Sequence, residues 1–189
     1  MSDETNVDLT AVLDRIRSGD PKASDELFRM VKRELESLAS RFLKNERVGH
    51  TLQTTALVNE AAIRLLGGLE NLTDRSHFFR AAAMAMRFVL VDHARMRMAE
   101  KRGSKRGPTA LTDDSGIFGV DLDPTFLVTL HDALEKLAEI SEPQAEAFQL
   151  WYFAGLTAEE ISALIDRSPR TVQGDLKAAR AWLYGQFRE

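Results

Sequence analysis

Residues 156–187 read LTAEEISALIDRSPRTVQGDLKAARAWLYGQF, and the pattern specifies two helices joined by a tight turn. Thr157 followed three residues later by Glu160 is a capping box, so a helix opens there with Ile161, Leu164 and Ile165 on its apolar side. Residues 166–168 supply the turn. Ser168 is then an N-cap, and Pro169 takes the first helical position, where a missing N–H costs nothing. In the second helix Val172, Leu176, Ala179 and Leu183 recur at three- and four-residue steps, which turns Arg170, Gln173, Gly174 and Lys177 outward at about 100° per residue. A short first helix, a brief turn and a polar outer face on the second make a helix-turn-helix, whose second helix enters DNA. A plain antiparallel helix pair fits the same local pattern, so the decision rests on the rest of the chain.

The chain has 189 residues, 44% of them hydrophobic, enough for one large core or two small ones. Its charge is unevenly placed. Between 80 and 106, eight Lys and Arg face two acids, a balance of +6; between 113 and 146, nine acids face one lysine, a balance of −8. The overall −4 hides a basic segment next to an acidic one, and that division points to nucleic acid more than the mean pI of 5.7 suggests. With no cysteine, disulfides and thiolate metal sites are excluded, and the cytoplasm is the expected location. No apolar run has the length of a membrane span, and the first ten residues, MSDETNVDLT, lack a signal-peptide core.

Taken in order, residues 8–17 predict a helix with Leu9, Val12, Leu13 and Ile16 inward, ended by Gly19. A second helix, to about Phe42, places Leu27, Phe28, Val31, Leu35, Leu38 and Phe42 inside. Residues 45–53 read as a loop, after which Thr54 or Thr55 caps a helix running to Leu66. Its stripe is Leu57, Val58, Ala61, Ala62 and Leu65, with Asn59, Glu60 and Arg64 on a polar side that has no evident partner in the chain. Gly67 and Gly68 stop it, and residues 69–75 form a polar loop.

Ser76 then caps a long helix, SHFFRAAAMAMRFVLVDHARMRMAEKRG, of some 40 Å at about 1.5 Å per residue. One face, Phe79, Ala82, Ala83, Met86, Val89, Leu90 and His93, suits a core; the arginines make a basic ridge that can follow phosphates, and the aromatics can stack on unpaired bases. Both features also suit an ordinary solvated helix on a core. Residues 104–123 are broken by glycine and proline and end acidic, so they read as a flexible linker between two helical domains. Beyond them, Leu127, Leu130, Leu134 and Leu137 stripe one helix, and Ala145, Phe148, Leu150 and Trp151 the next, ahead of the opening pair. The fold class is therefore all-α: two helical domains, a flexible linker, and a helix-turn-helix in the C-terminal domain.

In this order of parts the chain resembles the extracytoplasmic-function (ECF, group IV) sigma factors of bacterial RNA polymerase. Leu57-Val58-Asn59-Glu60 with Arg64-Leu65 is similar to the family's Leu-Val-Gln-Glu segment, with Asn59 in place of the glutamine. Met86-Arg87 through Val91-Asp92-His93-Ala94-Arg95 is similar to the segment lying on the minus-ten element, with Met86 and His93 as departures. Glu160-Ile161 and Thr171-Val172 through Ala179-Arg180-Ala181-Trp182-Leu183 resemble the domain that reads the minus-thirty-five element. Residues 47–53, RVGHTLQ, and 90–95, LVDHAR, resemble one subgroup.

The resemblance implies sigma domain 2 over residues 1–103, the linker over 104–123 and sigma domain 4 over 124–189. It implies core RNA polymerase and promoter DNA as partners and leaves room for an anti-sigma factor, with no enzymatic activity, catalytic residue, metal, cofactor, membrane or small-molecule substrate. Polymerase is expected on Leu57, Asn59, Glu60 and Arg64. The downstream element is expected on Arg80, Arg87, Arg95, Arg97, Lys101 and Arg102, and the upstream element on Arg170, Thr171, Gln173, Gly174, Lys177 and Arg180. Residues 69–75 are placed to capture an extruded non-template base. The acidic stretch 113–123 reads either as a nucleic-acid mimic in the polymerase channel or as a solvated tether.

Two other classes compete. One is a helix-turn-helix regulator that binds its operator as a dimer without polymerase; it needs a dimerising or ligand-binding domain, for which the first half shows no heptads. The other is a metal-dependent phosphohydrolase using His131-Asp132 with His50, His77 and His93, which are far apart in sequence.

Overall fold

Apolar positions on every side of one long helix set the architecture. The computed structural model describes residues 9–42, 51–67, 74–100 and 123–187; within these, the side chains of 38–42, 51–57, Leu9, Leu66, Arg97 and Glu100 are not described. The described residues form α1 (Leu9–Arg17), α2 (Pro21–Phe42), α3 (Thr51–Leu66), α4 (Arg75–Glu100), α5 (Pro124–Ile140), α6 (Glu142–Phe153), α7 (Ala158–Ile165) and α8 (Pro169–Gln186). The fold is all-α, and no helix among the described residues is long and apolar enough to cross a membrane.

Gly19 ends α1 at φ +84°, a backbone state that costs a residue with a Cβ far more. Asp20 restarts the chain by accepting a hydrogen bond from the Lys22 amide, and Arg15 ties Asp20 to Glu26 across the corner. In α2 the buried stripe is Ala23, Leu27, Val31 and Leu35 at strict steps of four. Phe28, assigned inward by the pattern, is instead 42% exposed, because it stands about 100° away from that stripe. Helix α3 starts at Thr51, one turn before the threonines the sequence favours as caps, and buries Val58, Ala61, Ala62 and Leu65. The rest of the expected loop, 45–50, lies outside the described residues.

Asp74, not Ser76, caps α4: its Oδ1 accepts from the His77 amide at 2.9 Å, and its carbonyl from Phe78 at 3.0 Å. Ser76 is used elsewhere, its hydroxyl donating to the Leu164 carbonyl at 2.8 Å. The face expected in the core is buried from Phe79 to Leu90, while His93 is half-exposed; Phe78, Ala85, Arg87, Val91 and Ala94 are buried as well. A helix buried around most of its circumference needs partners on more than one side. Helix α4 has them: α3 packs along it from the N-terminal half of the chain, and α5 and α6 from the C-terminal half. The buried side chains of both halves accordingly join in one continuous core.

The C-terminal helices follow their local signals closely. Asp123 caps α5 by accepting from the Thr125 amide, with Pro124 in the first turn, and Leu127, Leu130, Leu134 and Leu137 are buried. Helix α6 buries Ala145, Phe148 and Leu150 as expected but leaves Trp151 half-buried. Both hydrogen bonds of the Thr157–Glu160 capping box form, and α7 closes at Asp166, φ 52°. Ser168 accepts from the Thr171 amide to start α8, whose buried residues are Val172, Leu176, Ala179 and Leu183. Phe126 stacks on Phe187 at 5.0 Å, joining the start of α5 to the end of α8.

Candidate nucleic-acid interface

The outer side of α8 is built by the turn before it. The Ser162 hydroxyl bonds the Arg167 carbonyl, and the Arg167 guanidinium meets Asp175 at 2.8 Å, so the turn is held to both helices. This fixes the direction in which Arg170, Thr171, Gln173, Gly174 and Lys177 project, all of them exposed. A Cβ added at Gly174 would meet nothing within 4 Å, so no packing within the chain requires a glycine there.

Arg180 differs from its neighbours. Its guanidinium lies 4.1 Å over the Trp151 ring, its Nε is buried without a hydrogen-bond partner, and burial pulls its pKa below the usual arginine value. It remains a cation at neutral pH. Trp151, Thr157, Gln173, Lys177 and Arg180 line an open depression of 340 Å³ between α6, α7 and α8. Two cations, an amide and a hydroxyl at one concavity suit a backbone phosphate, with Trp151 holding the arginine in place. Trp151, which helical spacing alone assigned to the core, is half-buried with Arg180 over its ring.

The ridge of α4 has a different setting. Arg87 is 5% exposed, and its hydrogen-bond partners lie on α5 and α6. Its Nε donates to His131 Nδ1 at 3.0 Å, Nη1 to Gln149 Oε1 at 2.8 Å, and Nη2 to the His131 carbonyl at 3.2 Å and to Glu135. Burial lowers its pKa, and Glu135 and Asp132 oppose that shift. Arg80, a turn or two earlier, pairs with Glu146. Arg95 is exposed, 4.0 Å from Asp92. The side chain of Arg97 and all of Lys101 and Arg102 lie outside the described residues, as does most of the linker 104–123 and, apart from Asp74 and Arg75, the loop 69–75.

His131 reports on this cradle. Burial first, then Arg87 and Arg95, pushes its pKa below the ordinary histidine value, against the pull of Glu135 and Asp132. The geometry agrees: Nδ1 accepts from Arg87, so it carries no proton. A depressed value in the packed form means that the separated form binds more protons, so the packing of α5 and α6 on α4 is strongest above about pH 6.5 and weakens as pH falls below it. Thermal unfolding between pH 7.5 and 5.5 should show this loss, and His131→Asn should flatten it.

On α3, Asn59 is exposed, but the expectation that Glu60 and Arg64 lack partners within the chain is corrected. Arg64 Nη2 bridges Glu60 and Asp92 at 2.8 Å each, and His93 Nε2 lies 3.6 Å from Glu60. The Asp92 hydrogen bond foremost raises the Arg64 pKa. The partner sits 28 residues away on α4, beyond the reach of a pattern read along α3. Ile63 went unremarked in the sequence and is 69% exposed one turn from Asn59; an isoleucine on the outer side of an otherwise polar face was the available signal. The side chain of Leu57 is not described.

Of the histidines in the phosphohydrolase reading, His131 is engaged by Arg87 and His93 faces Glu60. Among the described residues no group of three His, Asp or Glu is placed to hold a metal ion. The family model described as ECF sigma factor matches residues 6–189. No curated protein matches the chain.

Proposed function

Because the chain belongs to the ECF sigma factor family, a regulatory family that serves transcription initiation, we propose that it joins core RNA polymerase, directs it to promoters through two surfaces and assists opening of the duplex. Residues 1–103 then act as the polymerase- and minus-ten-binding domain, 104–123 as the linker and 124–189 as the minus-thirty-five-binding domain. The observation that carries the reading is the division of α8 into a buried stripe and an outer side of Arg170, Thr171, Gln173, Gly174 and Lys177. Arg170 and Gln173 are assigned to base edges, and Lys177 and Arg180 to phosphates. Co-purification with core polymerase, followed by transcription from genomic fragments, is the test. Operator binding without any polymerase association would instead favour a dimeric regulator.

For polymerase, the α3 surface centred on Asn59 and Ile63 is the better target for substitution, since Arg64→Glu would set a carboxylate against Asp92 and disturb the fold. Ile63→Glu should weaken core binding at least tenfold, about 1.4 kcal/mol, with an unchanged melting temperature. Full retention in a pull-down would remove this surface from the interface.

For DNA, Gly174→Ala separates two roles. Alanine should stabilise α8 by roughly 0.5–1 kcal/mol, since helix propensity rises and nothing obstructs the new methyl. If the backbone approaches the groove closely at this point, promoter affinity falls at the same time. A higher melting temperature with unaltered affinity would show that Gly174 has no part in the contact.

A further inference from the structure

We propose that the depression between α6, α7 and α8 is a preformed site for one phosphate group of the DNA backbone, in which Trp151 is a positioning residue that sets Arg180 before DNA arrives. The proposal rests on the functional reading above, in which α8 lies against the upstream element. The cation at this site is held by α6 and not by α8 alone. Among the described residues no carboxylate pairs with Lys177 or Arg180, whereas Arg64, Arg80, Arg87 and Arg167 are all paired. The positive charge of the depression is therefore unanswered within the chain.

Two aromatic contacts connect the arginine to the core. Fully buried Phe148 meets the Trp151 ring edge-on at 5.5 Å, and Trp151 carries the Arg180 guanidinium 4.1 Å over its ring. Because Nε is covered and has no hydrogen-bond partner, the Nη groups are the donors left for a ligand. A cation partly withdrawn from water and matched by no acid attracts an anion more strongly than a solvated one does. Thr157 adds a hydroxyl whose oxygen accepts from the Glu160 amide at 3.2 Å, which leaves its proton to donate. Gln173 and Lys177 complete the polar lining. The place of Arg180 along α8 says which part of DNA it meets. It stands ten residues beyond Arg170, about 15 Å at 1.5 Å per residue, farther than the major groove is wide at about 12 Å. With the first turns of α8 on base edges, Arg180 lies over the flanking strand, which offers phosphate and sugar. The site thus anchors the helix without reading sequence.

The experiment uses the full chain and two probes. Inorganic phosphate carries the same chemistry as the backbone and is titrated at fixed pH against chloride of matched ionic strength. The chain has two tryptophans, so Trp182→Phe leaves emission that reports on Trp151 alone. Phosphate should change that emission saturably, chloride should not, and Arg180→Gln should abolish the change. Mixed-sequence duplex is then bound at several salt concentrations, since phosphate contacts are independent of sequence but depend on salt. The variants are Arg180→Gln, Trp151→Leu, Trp151→Phe and, as control, Lys136→Gln, which removes an exposed cation of α5 outside the depression.

Arg180→Gln should weaken duplex binding about tenfold relative to the control and reduce the steepness of the salt dependence by about 1. Trp151→Leu should lose several-fold and Trp151→Phe should restore the affinity. In the Arg180→Gln background Trp151→Leu should cost nothing more, because a positioning residue acts only through the group it positions. A Trp151→Leu loss that persists in that background overturns the positioning role. An emission change that survives Arg180→Gln overturns the site. If Arg180→Gln binds duplex as the control does, the backbone is overturned as the occupant, and phosphate binding then belongs to a small phosphate compound. Transcription by the wild-type chain with core polymerase is scored separately; if it fails, the sigma-factor reading falls, while the phosphate titration and the duplex salt dependence still decide the site.

Discussion

Replacing Phe148 by alanine is expected to cost about 3–5 kcal/mol of stability, among the largest losses any single truncation should cause here. The side chain is 0% exposed and packs its ring against Trp151 at 5.5 Å and Tyr152 at 5.7 Å. Little of the resulting cavity can collapse, because α6 is held between α4, α5, α7 and α8. For a chain of this size the melting temperature should fall by roughly 6–20 °C. Function should suffer with it: Trp151, which seats Arg180, lies one turn from Phe148 on α6. Glu139→Ala, on an exposed position of α5, should move stability by no more than about 0.5 kcal/mol. A shift below about 1 kcal/mol for Phe148→Ala would show that α6 is not the support of the C-terminal helices.

The second large effect is expected from Arg87→Glu. The new carboxylate, at a position 5% exposed, would face Glu135 and the carbonyl of His131, both acceptors, although the Glu135 side chain itself is 61% exposed. Breaking a fully buried charge pair costs about 3 kcal/mol or more; with Glu135 screened by solvent the expected cost is about 1–3 kcal/mol, most of it the burden of an uncompensated charge at position 87. The packing of α5 and α6 on α4 should loosen while the helices persist, so circular dichroism should keep its helical signal as the melting temperature falls. Arg87→Met is the informative companion, since replacing a buried ion with an apolar side chain of similar length is often close to neutral. If Arg87→Met keeps its melting temperature and yet fails in transcription, Arg87 serves DNA as well as the packing of α5 and α6. If Arg87→Glu keeps the wild-type melting temperature, the cradle does not hold α5 and α6 to α4.

Local chemistry made much of this protein legible from its residues. The capping box at Thr157 and Glu160, the Ser168–Pro169 start of α8 and the stripe from Val172 to Leu183 all form as the spacing implies, because each depends on hydrogen bonds or periodicity within one or two turns. The all-α class and the ECF sigma factor family followed from such signals and their order along the chain. Where a helix cap was misassigned, the alternative lay within the same few residues, as with Asp74 taking the cap of α4 from Ser76.

Tertiary structure decided what a helix does on its other sides. Along α4 the run of alanines and methionines marked one core face and left the opposite side ambiguous between solvent and a second partner. Only the packing of α5 and α6 makes that side an interior. Arg64 shows the same limit, its second carboxylate standing 28 residues away on another helix. For Arg87 the difference is greatest: the sequence sets it among the arginines expected on DNA, and its surroundings make it a buried cation bound by Glu135, His131 and Gln149. Charge belongs to the residue and can be read from the sequence, whereas desolvation belongs to whatever element comes to lie against it, and nothing within a turn of Arg87 specifies that element.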